Sequence, residues 1–490
     1  MKVISLLVPS LLLAAGVTLL SVAACQNTDA ATKPSGAGGA TSSGTGANAC
    51  AFTITPRPEY TDYAAGTPVN GATPNIRRVR LGLGGTVTAG APTYADPSKS
   101  FAVAWQTDDG TLASDVTWGA DPDPTKWDAK NRVGGSTWNT PPGSIQGNGP
   151  QRMHEAYVCG LTPATTYYYR VGGGPAGAEV WSDVYPFSTT PAAGDATVKF
   201  AITGDSRGEE QNAWQLLQHR VKGQGVTLQL FSGDMINLGP DQGEWEQWLD
   251  KAWKDETGMP SALPSILTLA AHGNHDNHTT LFYGNVTLPQ DPAYALGAEL
   301  FFSVDVGPVH VVVFDDFYLT TNQNPEFISS LTDWLEKDLT AAEANRASVP
   351  WIITVHHHPE YSSSLHGKDP GVIAVRTFTS PIWDKHHVDL SIAGHDHNYE
   401  RSKPLTGPAA NPTVQTDTKA GTTYLVCAGS GADAYSAGMS PFTDVSRDYK
   451  SGGIGLYSIL TATKSKLTIE AHTMTAAGDD PVFDTYTLSR

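Results

Sequence analysis

Short apolar runs rich in β-branched residues recur through the second half of this chain, and each breaks into a polar loop. Runs at 198–202, 226–231, 266–270, 309–314, 351–355 and 388–393 predict buried strands. Between them, residues 212–220 and 327–339 carry apolar positions at helical spacing. Strand alternating with helix predicts an α/β domain. Three more alternating stretches, 422–428, 454–461 and 467–473, predict strands that complete its second sheet. Trp245 and Trp248 fit one helix face and are expected in the core.

Upstream the pattern changes. Shorter alternating segments at 78–83, 101–106, 116–118, 155–158 and 165–171 are separated by Gly, Pro, Asp and Asn turns, which predicts an all-β sandwich over 74–191. The α/β unit is expected over 196–490, and 53–73 as an extended lead-in. At the start, Lys2 precedes an apolar stretch at 3–22 and then Val22-Ala23-Ala24-Cys25. This looks like a bacterial lipoprotein signal over 1–24, with Cys25 as the lipidated residue and the protein held at the cell envelope, facing the periplasm or exterior. Residues 25–52 are rich in Gly, Ser, Thr and Ala and read as a flexible tether.

Charge narrows the partners. With 31 basic against 49 acidic residues the net charge is −18, which disfavours nucleic acid and anionic surfaces. With Cys25 assigned to lipid, Cys50, Cys159 and Cys427 allow three pairings, of which Cys50 with Cys159 is the expected one. There is no internal repeat or coiled-coil heptad pattern, so nothing in the pattern sets an oligomeric state.

The chemistry lies in the loops that follow the strands. They carry Gly204-Asp205-Ser206-Arg207, Gly233-Asp234-Met235-Ile236-Asn237, Gly273-Asn274-His275-Asp276, His357-His358-Pro359 and Gly394-His395-Asp396-His397. Loops at the carboxyl ends of strands in open α/β sheets are where ligands bind. Carboxylates, imidazoles and one carboxamide without thiolate suit Zn, Fe or Mn, with Ca or Mg as further candidates. Two ions about 3.5–4 Å apart need a shared ligand, and an Asp serves because each oxygen can face one ion.

In this order the five motifs, with the continuation Asn398-Tyr399-Glu400-Arg401-Ser402, resemble the metallophosphoesterase superfamily and within it the purple acid phosphatases, over roughly residues 74–490. The resemblance implies two facing mixed β-sheets flanked by helices, a four-layer α/β/β/α fold. It implies that Asp205 and His397 hold the first metal, that Asp234 bridges, and that Asn274, His357 and His395 hold the second. His275 is then a proton donor to the leaving group. His366 falls near the family's second substrate-side histidine, and His366 or Arg207 would clamp phosphoryl oxygens. The stretch 160–171 resembles a fibronectin type III domain, which the purple acid phosphatases carry ahead of the catalytic one. Its expected role is to pack on the catalytic domain and shape one rim of the cleft.

Of the three adjacent histidines, His357 stands two residues before Pro359, as the family's ligand does; His356 and His358 are expected to be supporting groups. His386 and His387 are expected at the surface, and Glu400 with Arg401 as an ion pair. Two departures stand out. Asn237 replaces the tyrosine of the purple enzymes. Arg207 stands where other metallophosphoesterases have a ligating histidine, and it stays protonated and cannot coordinate. Either Asn237, through its carbonyl oxygen, or water takes the missing place. Without a tyrosinate the expectation is a pair of divalent ions, no visible charge-transfer band, and an activity optimum near neutrality. The function expected is hydrolysis of a small phosphomonoester by metal-bound hydroxide, for phosphate acquisition outside the cytoplasm. The alternatives are a phosphodiesterase or nucleotide-cleaving enzyme, and a poorly active metal-binding surface protein.

Overall fold

A computed structural model describes residues 40–41, 50, 52–57, 59–86, 96–139, 152–208, 212–254, 258, 260–294, 298–321, 324–449 and 452–490. The expected signal peptide, Cys25 and most of the expected tether lie outside the described residues.

Two five-stranded antiparallel sheets form the sandwich. Its core closes on Trp105, Trp118, Tyr169, Tyr185 and Phe187, all buried. Residues 53–73, expected as a lead-in, supply the strand Thr61–Ala65, which pairs with Ser136–Asn139 at the edge of one sheet. Cys50 and Cys159 are joined by a disulfide with Cα atoms 5.3 Å apart, the pairing expected from the sequence.

The second unit has a six-stranded and a seven-stranded sheet. In the first, Leu267–Ala270, Leu228–Phe231 and Val198–Thr203 run parallel, followed by Gly455–Ala462, Lys466–Met474 and Val482–Ser489 as an antiparallel meander. In the second, Val309–Phe314, Trp351–Val355, Leu390–Ala393 and Thr423–Cys427 run parallel. The antiparallel strand Phe301–Val306 flanks them on one side, and Tyr399–Ser402 and Thr443–Arg447 on the other. The C-terminal strands therefore do not share one sheet as expected. Thr423–Cys427 joins the seven-stranded sheet and the other two join the six-stranded one. Cys427 is buried where the sheets meet, 3.7 Å from the Ile202 carbonyl and 3.4 Å from Ser458 Oγ.

The helices cover these sheets through aromatic side chains. Trp214 of Asn212–Gly223 stacks on Trp248 of Gln242–Trp253 at 4.9 Å, and both meet Phe231 edge-on. Trp334 of Pro325–Ala344 packs on Phe301, and Trp383 of Pro370–His386 on Phe314. Local chemistry sets the helix starts. The Asp241 carboxylate accepts from the Gly243 and Glu244 amides, and Asn324 caps a helix with Pro325 in its first turn.

The sandwich is fastened to the second unit by buried guanidinium groups. Arg78 makes a two-point contact with Asp250 at 2.7 and 2.8 Å. Arg80 donates to the backbone carbonyls of Asn285 and Gly284 at 2.6 and 2.9 Å. This agrees with the packing role expected of the sandwich.

One histidine held between two carboxylates makes stability depend on alkaline pH. His310 lies between Asp305, 2.7 Å from Nδ1, and Asp338, 2.9 Å from Nε2. Burial alone would lower its pKa, but the Asp338 and Asp305 charges raise it to about 10. A raised folded-state value means the contribution is full below the ordinary value of about 6.5 and is lost as pH rises through about 10. His310→Gln is therefore expected to lower the melting temperature at pH 6 by an amount worth about 2–4 kcal/mol, with the gap narrowing by pH 10. Parallel melting curves from pH 6 to pH 10 would contradict it.

Candidate metal centre

The five motif loops meet at one end of the two sheets. Asp205, Asp234 and His395 hold φ of 54°, 58° and 69°, a region that non-glycine residues rarely enter and that concentrates at functional sites. The loops pack backbone on backbone, which explains the motif glycines. A Cβ on Gly273 would lie 2.2 Å from the Asp234 nitrogen, and one on Gly394 would lie 2.4 Å from Asp205 Oδ2. Asp276, unassigned from sequence, ties two loops together. Its carboxylate accepts from the amides of Asp234, Met235 and Gly273 at 3.1, 3.1 and 2.9 Å.

Four side chains then converge on one point. Asn274 Oδ1 lies 2.9 Å from His357 Nε2 and 3.1 Å from His395 Nδ1, and His357 Nε2 is 3.4 Å from Asp234 Oδ1. His357 Nδ1 donates to the Ser232 carbonyl at 2.8 Å, which leaves a lone pair on Nε2 in the neutral ring. Ring nitrogens and side-chain oxygens thus crowd one point, where a proton on His357 Nε2 or a cation would draw them together. Consistently, Asp234 raises the His357 pKa to about 10 against the effect of burial. These four donors fit a divalent ion.

The neighbouring group uses Asp205, the other Asp234 oxygen and His397. His397 Nε2 is 3.6 Å from Asp205 Oδ1, and its Nδ1 donates to the Asp433 carbonyl at 2.6 Å, so the free lone pair faces the site. Burial, followed by the Arg207 charge, lowers the His397 pKa to about 3. Burial opposes ionisation of both carboxylates. It and the Asp234 charge push Asp205 up to about 8, while His357, His275 and Arg207 hold Asp234 well below the usual carboxylate range. Arg207 sits inside this group, with Nε 3.1 Å from Asp234 Oδ2 and Nη1 3.2 Å from Asn237 Oδ1. The donors fit an ion, but a guanidinium already engages several of them.

The remaining expected residues line the same place. His275 takes its backbone from the loop that Asp234 Oδ1 grips through the His275 amide at 2.9 Å. Its Nδ1 donates to the Asn237 carbonyl at 2.8 Å, and Nε2 is 4.0 Å from Asp234 Oδ2. His366 packs its ring 4.6 Å from that of His395 and bonds Asp369. Tyr435, which no motif flagged, stacks on His397 at 4.1 Å and lies near the Arg207 charge.

Behind the ligands lies a buried ionic network. Asp316 accepts from His358 at 2.7 Å and lies 3.0 Å from His356 Nδ1, whose Nε2 is 3.2 Å from Glu360. Glu360 and Asp316, overcoming burial, raise His356 to about 9. This is the supporting role expected of both histidines. His358 also stands close to the centre, its ring 4.4 Å from that of His395.

Other expectations need correction. Glu400 and Arg401 do not pair, because neighbours on a strand point to opposite faces. Glu400 accepts from Ser363 and Thr443, while Arg401 pairs with Asp444 and Asp484. His386 is buried against Glu336 and Glu343 instead of lying at the surface; His387 is exposed. A further trio, His272, His278 and Asp315, has one ligand-type atom each within 4.8 Å of the others. Yet His272 Nε2 accepts from the His278 amide at 2.7 Å, which engages that lone pair and places the ring proton on Nδ1.

Comparison with known proteins agrees with this geometry. Residues 198–399 match the calcineurin-like phosphoesterase family, and residues 90–189 match the purple acid phosphatase N-terminal domain. Purple acid phosphatase 21 of Arabidopsis thaliana is 28% identical over 318 residues, 63% of this chain and 65% of its own length. The phosphoenolpyruvate phosphatase of Allium cepa is 26% identical over 332 residues, 64% of this chain and 62% of its own length. The chain thus spans less than two thirds of either relative. Among solved structures, the purple acid phosphatase PPD1 from yellow lupin (Lupinus luteus) seeds superposes with a TM-score of 0.61 at 18% identity, covering 85% of this chain and 75% of that one. That likeness is one of fold.

Proposed function

We propose that this chain, in which a calcineurin-like phosphoesterase domain follows a purple acid phosphatase N-terminal domain, is a metal-dependent phosphatase acting on small phosphomonoesters. The convergence of Asp234, Asn274, His357 and His395 on one point carries this reading. These residues would hold one divalent ion and Asp205, Asp234 and His397 a second. Bound there, the ions would neutralise phosphate oxygens and bring the pKa of a water to about 7.

The chain's own groups supply the rest. The Asn237 backbone carbonyl accepts from His275 Nδ1, so the second proton of the imidazolium form would sit on Nε2 and be the one handed to the departing alkoxide, leaving the neutral ring. His366, oriented by Asp369, stands on the other flank as a donor to phosphoryl oxygens. No protein nucleophile is required.

Placement outside the cytoplasm, through lipid at Cys25 and in the service of phosphate acquisition, belongs to the same proposal. The Cys50–Cys159 disulfide supports an oxidising compartment. The likeness of the sandwich to fibronectin type III domains rests on the sequence at 160–171.

The test is hydrolysis of 4-nitrophenyl phosphate and bis(4-nitrophenyl) phosphate by a form starting after Cys25, stripped of metal and then given Zn, Mn, Fe or Ca. Metal-restored monoester turnover is expected, with an optimum near neutral pH. Turnover of the diester alone would move the reading to a phosphodiesterase. Silence with every ion would favour a binding protein.

A further inference from the structure

Arg207 is the one group in the centre whose chemistry runs against its surroundings. It follows the Val198–Thr203 strand in the loop that presents Asp205, so its Cα is placed for a side chain that enters the site. It does enter. Nε is 3.1 Å from Asp234 Oδ2, Nη1 is 3.2 Å from Asn237 Oδ1, and Nη2 is 3.3 Å from His397 Nε2. The guanidinium is largely shielded, with 18% of its side chain exposed, and the Asp234 side chain is 1% exposed. All three acceptors belong to the set that would surround the first ion. A planar fork of N–H donors thus satisfies the lone pairs that an ion would otherwise engage. The second group, around Asn274, has no guanidinium among its described contacts: what faces Asp234 Oδ1 there is the His275 amide at 2.9 Å and His357 Nε2 at 3.4 Å.

Resting on the metal-centre reading above, we propose that Arg207 is a resident cation in the first metal place, so that the two ions bind unequally. The second place fills first. The first ion enters only as the guanidinium leaves, because the two compete for Asp234 Oδ2 and His397 Nε2 and repel each other as like charges. Arg207 is then a positioning residue that keeps Asp234 and His397 ordered and charge-compensated while one ion is bound. Asn237 fits the same design. A tyrosinate there would add a negative charge and favour the ion, whereas a neutral amide oxygen accepts from the guanidinium.

The test reads metal content and not activity. The full chain in detergent is stripped, equilibrated with Zn(II) or Mn(II), desalted and measured for metal per protein, with titration calorimetry alongside. Wild type is expected to retain about one ion and to show two binding events at least tenfold apart. Arg207→Ala is expected to retain about two ions, with the weaker event tightened at least tenfold. Arg207→Met, which keeps the bulk and removes the charge, should do the same; an unchanged melting temperature for either variant shows the loop is intact. Two equally tight ions in wild type, or variants that match wild type, would overturn the proposal while leaving the metal centre standing. No ion in any protein would overturn the metal centre and this inference with it.

Discussion

Asp234→Asn is expected to lower kcat/KM for a phosphomonoester by about 10³-fold or more, roughly 4 kcal/mol of transition-state stabilisation, and to cost the protein most of its bound metal. The reason is position. One carboxylate oxygen faces the Asn274 group, 3.4 Å from His357 Nε2, and the other faces the Asp205 group, 3.1 Å from Arg207. An amide offers one acceptor where the carboxylate offers two, and removes a charge that offsets Arg207 and His357. Since Asp234 Oδ1 also holds the His275 amide, the variant is compared with wild type by melting temperature as well as by metal analysis and kinetics. A variant that retains full metal and activity would sink the bridging role.

His275→Asn is expected to behave differently, losing about 10²–10⁴-fold in kcat with metal content unchanged. Its ring makes no contact with Asn274, His357 or His395 among the described interactions, and its Nε2 is 4.0 Å from Asp234. A proton donor matters most when the leaving group is a poor one. The loss should therefore be large for an alkyl phosphate and small for 4-nitrophenyl phosphate, whose phenolate departs unaided. Equal losses on both substrates would point to a structural role, and a fall in metal content would make His275 part of the ion's surroundings.

Much of this site was legible from short stretches of sequence. The β-branched runs located the loops, the resemblance to the purple acid phosphatases picked out Asp205, Asp234, Asn274, His357, His395 and His397 within them, and the structure brings all six together. The strands 309–314 and 351–355 fall where the apolar runs place them. The three adjacent histidines differ in what they face: His357 Nε2 points at Asn274, while His356 and His358 bond Asp316, and His358 keeps a ring nitrogen near those of His357 and His395. A strand-end loop announces itself locally, because burial of the strand and exposure of the loop leave opposite patterns within about ten residues.

What the local pattern could not contain are pairings between distant segments. Nothing near Asp276 indicates that it binds the amides of Asp234 and Met235, and nothing near Tyr435 says that its ring covers His397. The division of the C-terminal strands between two sheets depends on which edges remain open once the parallel strands are laid down. His386 looked exposed until the helix Pro325–Ala344 brought Glu336 and Glu343 against it. By itself, then, the sequence determined the donor types and the loops that carry them, since these are written in period and residue identity. Whether each donor faces an ion or a guanidinium was decided only in three dimensions. Arg207 and His397 lie 190 positions apart in the chain, and only the packing of one sheet against the other brings them to 3.3 Å.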